Sequence, residues 1–362
     1  MRIALIIYGD ISSVSGGYLY DRKLLEYLQN HDEEIELISL KNRGFLKALF
    51  NFEIPAELRS RQFDVLIQDE LVHPAMLGIN RKLKSIFRCK LVSLVHLFNS
   101  SRPVPKYQQY FYQLVEKQYL KHIDALILNS QSTLSQAQQL IGKKLPPHIV
   151  APPCGDNFGD VATGRSEKSS DTLKLLYVGN IIRQKGLHVL LQGFAKLKLP
   201  GLSLTVVGRS ELEPGYALEQ QAFVKNHELS GKVNFLGVLG ADELAEIYRE
   251  HDVFIMPSVN EAYGIVYLEA MQFGLPVIGT GTGGGREIIQ EEHNGYLIEP
   301  EDSERLAEII QYLATHPAHL HSLSANARQS YLLHPKWQDS CEKIHAFLQD
   351  LVSGKATQGV NA

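Results

Sequence analysis

The stretch that decides the fold is Val253-Phe254-Ile255-Met256, then Pro257-Ser258-Val259-Asn260-Glu261-Ala262-Tyr263-Gly264, then Ile265-Val266-Tyr267-Leu268-Glu269. Four apolar residues closed by a proline predict a strand covered on both faces, as in a parallel sheet. Ile265, Leu268 and Met271 recur every third residue and predict a helix with a buried face. Glu261 lies in the loop between strand and helix, and Glu269 lies on the helix. The N–H groups of Gly264, Ile265 and Val266 stand at the helix start without carbonyl partners in the helix, an arrangement suited to a phosphate. One carboxylate is then placed for ribose hydroxyls and the other for sugar hydroxyls, the layout of a nucleotide-sugar site.

Working outward, the same rhythm fills the chain. Apolar strands are predicted at residues 3–8, 35–40, 65–68, 90–95, 125–129 and 149–151, with amphipathic helices between them, among them 18–29, 107–121 and 132–140. Residues 156–171, rich in Gly, Ser and Asp, break the alternation and read as a linker. It restarts with strands at 173–178, 202–207, 233–236, 253–256, 277–279 and 295–298, followed by helices at 302–313, 318–332 and 337–351. The fold class is therefore α/β, with two doubly wound parallel sheets. The expected division is an N-terminal domain over 1–155, the linker, a C-terminal domain over 172–334, a last helix over 335–352 and a disordered tail over 353–362. Ligands are expected at the carboxyl ends of the strands.

Bulk composition adds bounds. The 362 residues suffice for two α/β domains, and no apolar run reaches the roughly 18–20 residues that span a bilayer. Residues 1–10 read as a buried strand, without the cleavage pattern of a secretory signal. Cys89, Cys154 and Cys341 lack metal-ligand spacing and suggest a reducing, cytoplasmic setting. The net charge of −4 divides into +5 over residues 1–155 and −9 over the rest. Between Leu71 and Val115 stand Arg81, Lys82, Lys84, Arg88, Lys90, Arg102 and Lys106 with no acid. That Arg81–Lys106 region is read as a contact for an anionic membrane surface, or as a solvated helix face. No nucleic-acid partner is expected.

The 257–269 stretch resembles the signature of two glutamates separated by seven residues found in retaining glycosyltransferases of the GT-B fold, in particular glycosyltransferase family 4. The resemblance extends along the chain. Residues 2–8 with Gly16-Gly17 are similar to the family's first strand and glycine loop, Leu175–Gly179 with Lys185-Gly186 to its phosphate-binding loop, and Val233–Gly237 to its base-binding strand end. It implies two Rossmann-like domains about a central cleft, the N-terminal one for acceptor and the C-terminal one for donor, with the last helix crossing back.

The resemblance implies roles residue by residue. Glu261, Lys185, Arg183 and His96 are the expected catalytic groups. Gly16, Gly17, Gly179, Gly208, Leu236, Ala262, Tyr263, Gly264, Ile265, Val266 and Glu269 are the expected donor-binding positions. Lys185 and Arg183 would meet the diphosphate, and Glu269 the ribose. Glu261 would meet the sugar, and His96 the region of the reacting carbon. Asn180 departs from the pattern: the family has an arginine there, and Arg183 is the candidate substitute. No metal or other cofactor is expected, since no metal-binding pair of aspartates is found. The implied activity is retaining transfer from a UDP- or GDP-linked sugar to an unidentified acceptor hydroxyl in glycan, glycolipid or envelope polysaccharide synthesis. Acceptor contacts are expected from loops 42–50, 69–73 and 99–106.

Other readings stand beside it. A sugar-nucleotide epimerase or a phosphorylase shares the fold. A non-catalytic nucleotide-sugar- or membrane-binding subunit would tolerate Asn180. A nicotinamide oxidoreductase is disfavoured, because the glycines after the first strand do not form the dinucleotide fingerprint.

Overall fold

The computed structural model describes residues 1–13, 15–50, 53–102, 104–159 and 172–355. Most of the expected linker, residues 160–171, and residues 356–362 of the expected tail lie outside them. The chain forms two compact units, residues 1–153 with 337–362, and residues 154–336.

In unit 1 the strands are β1 (Arg2–Tyr8), β2 (Glu34–Leu40), β3 (Val65–Asp69), β4 (Lys90–Val95), β5 (Ala125–Leu128) and β6 (His148–Val150), ordered β2-β1-β3-β4-β5-β6 and all parallel. Ile3, Leu5, Ile67, Val92 and Ile127 have no exposed surface. Such unbroken apolar strands are what helices on both faces require. The terminal helix Trp337–Val352 belongs to this unit. Trp337 meets Tyr20 edge-on at 5.4 Å, and Ser340 Oγ donates to the carbonyl of Pro152 at 2.7 Å.

In unit 2 the strands are β7 (Leu173–Val178), β8 (Leu202–Val207), β9 (Val233–Gly237), β10 (Val253–Met256), β11 (Val277–Thr280) and β12 (Gly295–Ile298), in the order β12-β11-β10-β7-β8-β9. All are parallel. The strand order turns back between β7 and β10, the crevice where open α/β sheets bind ligands. The helix Ile265–Gln272 that follows β10 is buried all round, beyond the single face predicted from Ile265, Leu268 and Met271.

The acid-free stretch 71–115 does not make one surface. Helix His73–Ile86 runs back from β3, so Arg81, Lys82 and Lys84 lie near the start of β4, where Lys90 stands. Arg102 and Lys106 follow its far end, past a six-residue strand about 20 Å long. Loop 69–73, expected to meet an acceptor, is largely core: Asp69, Glu70, Val72 and His73 are buried.

Candidate active site

In unit 2 three loops converge at the strand ends. The turn Arg183–Lys185 after β7 is bonded to the loop after β10: Val259 N–H donates to Gln184 O at 2.8 Å, and the Gln184 amide donates to Asn260 O at 3.0 Å. Gly186 permits this approach. Its φ is +72°, and a Cβ there would stand 2.0 Å from the Pro257 carbonyl oxygen. The third loop, Gly281–Gly285, lies on the other side of Glu261, whose carbonyl accepts from Gly284 N–H at 3.1 Å.

These contacts fix the Glu261 backbone. Its side chain meets Lys185 Nζ at 2.6 Å and accepts from Ser258 Oγ at 3.2 Å, both at Oε2. Gly264 then opens the helix at φ +105°, where a Cβ would collide with the Tyr267 ring at 2.3 Å. A left-handed residue in this position presents the following N–H groups without side-chain cover. Ala262 and Tyr263 lead into that turn, and Tyr263 O–H is held by His334 Nε2 at 2.9 Å. Ile265 is buried and Val266 partly so.

Glu269, one turn into the helix, is buried. Burial raises its pKa, while hydrogen bonds from Asn157 at 2.7 Å and Tyr248 at 3.2 Å oppose the rise. Each oxygen keeps a lone pair beyond the bond it makes, so two vicinal hydroxyls can still be accommodated. Gly179 and Gly208 meet behind the site: a Cβ on Gly208 would lie 1.8 Å from Gly179 O. Gly208 N–H donates to Gly237 O at 2.8 Å, which puts Leu236 at the neighbouring strand end.

Arg183 faces elsewhere. Its guanidinium lies 3.2 Å from Glu219 and 5.1 Å from the Tyr216 ring centre, so Lys185 is the basic group of this turn that reaches Glu261. Arg209 borders the same loop through its carbonyl, which accepts Ile181 N–H at 2.8 Å. Tyr177 O–H donates to Asn180 O at 3.1 Å.

In unit 1 the structure joins Gly17 to His96: a Cβ on Gly17 would stand 3.3 Å from the imidazole. Gly16 and Gly17 open helix Gly16–Gln29, capped by Ser15. His96 Nε2 lies 3.1 Å from Asp21 Oδ1, and the Tyr20 ring abuts it edge-on. Asp69 completes the group. One donor atom each from Asp21, Asp69 and His96 lies within 4.8 Å of the others, a set able to hold a cation. Burial, the largest cause, pushes Asp21 up to about 7 and Asp69 to about 8, where the Asp21 charge adds to it, and lowers His96. Asp21 and Asp69 were not singled out from the sequence. The signal available was Asp21 on the turn after Gly17 and Asp69 at a strand's carboxyl end.

Two doubly wound parallel sheets of this order are the GT-B fold. Sucrose-phosphate synthase from Thermosynechococcus elongatus superposes with a TM-score of 0.82 over 98% of this chain and 99% of its own, at 22% identity. The Anabaena protein HepE, solved in complex with UDP-glucose, gives 0.74 over 97% and 100%, at 18% identity. Residues 162–330, just under half of the chain, match the family described as glycosyl transferases group 1. Several relatives are named D-inositol 3-phosphate glycosyltransferase. That of Corynebacterium jeikeium is 30% identical over 66% of this chain and 60% of its own length. That of Corynebacterium urealyticum is 29% identical over 56% and 51%. The chain thus spans less than two thirds of these relatives.

Proposed function

We propose that this chain transfers a sugar from a nucleoside-diphosphate sugar to an acceptor hydroxyl with retention of anomeric configuration. The observation that carries the reading is Lys185 at 2.6 Å from Glu261, beside the helix start at Gly264. In this reading the diphosphate lies across the N–H groups of residues 264–266 and draws Lys185 to itself. The positive helix end and the lysine stabilise the charge that grows on the leaving phosphate. Glu269 accepts from the ribose hydroxyls, and Glu261 positions the sugar. The leaving phosphate takes the proton of the acceptor hydroxyl on the face it departs from. No metal is assigned to the diphosphate, since a lysine and the helix end supply the positive charge. HepE in complex with UDP-glucose supports a uridine donor.

The test is proton NMR of the product from an α-linked donor with a panel of glycan and lipid-linked acceptors. An α-linked product is expected; a β-linked product contradicts the retaining assignment. A second reading, a donor-binding subunit without turnover, is favoured by Asn180 and by Arg183 lying against Glu219. Donor binding without hydrolysis or transfer would select it.

A further inference from the structure

Helix Lys106–Leu120 of unit 1 has two apolar faces, and the fold uses one. Val115, Tyr119 and Leu120 are buried. Tyr107, Tyr110, Phe111 and Leu114, at helical positions i, i+3, i+4 and i+7, are 79%, 63%, 38% and 44% exposed. The short helix Phe45–Leu49 joins this face: the Phe45 ring lies 6.0 Å from Phe111 and 4.7 Å from Tyr112. It adds Leu46 and Phe50, 63% and 76% exposed. Single exposed apolar residues need no explanation, but six large ones on two helices in contact, counting Phe50 at the end of the shorter one, do.

The charge of the two segments is of one sign. Residues 41–50 and 106–120 carry Lys41, Arg43, Lys47, Lys106 and Lys117, all exposed. Their one carboxylate, Glu116, is buried, with Oε1 accepting Ser100 N–H at 3.1 Å. Glu53 and Glu57 line a hollow with Lys41 and Arg43 beside the short helix, while Lys47, Lys106 and Lys117 lie on the two helices themselves. Exposed apolar residues with lysines on the same helices match the layered chemistry of a bilayer surface, with apolar groups at the acyl boundary and cations among anionic headgroups. A second protein copy fits less well, since two such faces would bring ten like charges together. Among the described residues no helix is long and apolar enough to cross a membrane, so the face would lie on it.

We infer that the face formed by residues 41–50 and 106–117 docks this chain onto an anionic lipid bilayer. The inference goes beyond the transferase reading and is independent of it, because no donor enters the assay. It also departs from the Arg81–Lys106 region read from the sequence, whose charges are split between the two ends of β4.

The experiment is flotation of the full chain with vesicles of phosphatidylcholine alone or with 30% phosphatidylglycerol. Binding is expected to the anionic vesicles and to fall about tenfold in a Tyr107→Gln, Tyr110→Gln, Leu114→Gln variant. A Lys47→Gln, Lys106→Gln, Lys117→Gln variant should lose affinity and salt dependence together. An Arg81→Gln, Lys82→Gln, Arg88→Gln variant should bind as the parent does. All these side chains are exposed, and circular dichroism checks folding. No vesicle binding, equal binding to neutral vesicles, or binding indifferent to the aromatic variant overturns the inference. So does a dimer, seen by light scattering, that the aromatic variant dissolves.

Discussion

Lys185 Nζ stands 2.6 Å from Glu261 Oε2 across 76 residues of sequence, because Gly186 lets its loop pack directly on Pro257. The pair is charge-assisted and shielded, with side chains 22% and 10% exposed. A lysine so placed is ordered by Glu261 alone. In the proposed function a diphosphate would compete with Glu261 for it, and Glu261 would turn toward the sugar hydroxyls.

Replacing Lys185 with Ala should therefore slow transfer by about 10²–10³-fold with a smaller change in donor KM, since the charge it meets grows in the transition state. Arg183→Ala, which removes a contact with Glu219, should change turnover by less than about threefold. Steady-state kinetics on both variants checks this, and equal losses would place Arg183 in the site.

Glu269→Gln keeps the hydrogen bond from Tyr248 but removes the charge that, in the proposed function, accepts from ribose. Donor dissociation constants by calorimetry should rise about tenfold or more, as for a lost hydrogen bond to a charged group. The same substitution should leave thermal stability equal or higher, because burial already disfavours the carboxylate.

Gly186→Ala forces a side chain into a left-handed position and against the Pro257 carbonyl. Unit 2 should lose roughly 1–3 kcal/mol, and activity should fall with it as Lys185 is displaced. Chemical denaturation followed through unit 2 measures the first effect. An unstrained, fully active variant would mean the loops do not need this close approach.

The buried groups of unit 1 give a pH signature. Asp21, Asp69 and Glu116 are raised by burial to about 7, 8 and 7, so folding holds protons that the unfolded chain releases near pH 4. Their contribution is full below pH 4 and is lost as pH rises to 8. His73, lowered to about 4 by burial, acts oppositely but only below about 6.5. Between pH 6.5 and 8 the carboxyls act unopposed, and stability should fall with pH, by up to about 1.4 kcal/mol per unit for each proton. Asp69→Asn should flatten that slope. A slope unchanged by the substitution would show that Asp69 does not hold its proton at neutral pH.

Much of the fold was legible because parallel strands buried on both faces write themselves as continuous apolar runs. Lys90–Val95, Leu173–Val178, Leu202–Val207, Val253–Met256 and Gly295–Ile298 begin and end at the residues read from sequence. The convergence of Lys185 with Glu261 was legible only as two separate loop motifs. What joins them is backbone pairing between Gln184 and Val259, which leaves no side-chain pattern. The Asp21–Asp69–His96 cluster was hidden for another reason: its members come from a helix and two strand ends far apart in the chain, and a lone buried aspartate has no sequence mark. The exposed face of helix Lys106–Leu120 was obscured because the same helix also carries a buried face, so its apolar content read as core.

The measurement that most directly tests the central claim is a thermal-shift and hydrolysis panel of UDP-, GDP- and ADP-sugars, with and without EDTA, on the parent chain and on Glu269→Gln. The account predicts that one nucleotide sugar stabilises the parent, is slowly hydrolysed in the presence of EDTA, and stabilises the variant only at about tenfold higher concentration. No stabilisation by any donor, or stabilisation that Glu269→Gln leaves intact, would contradict it.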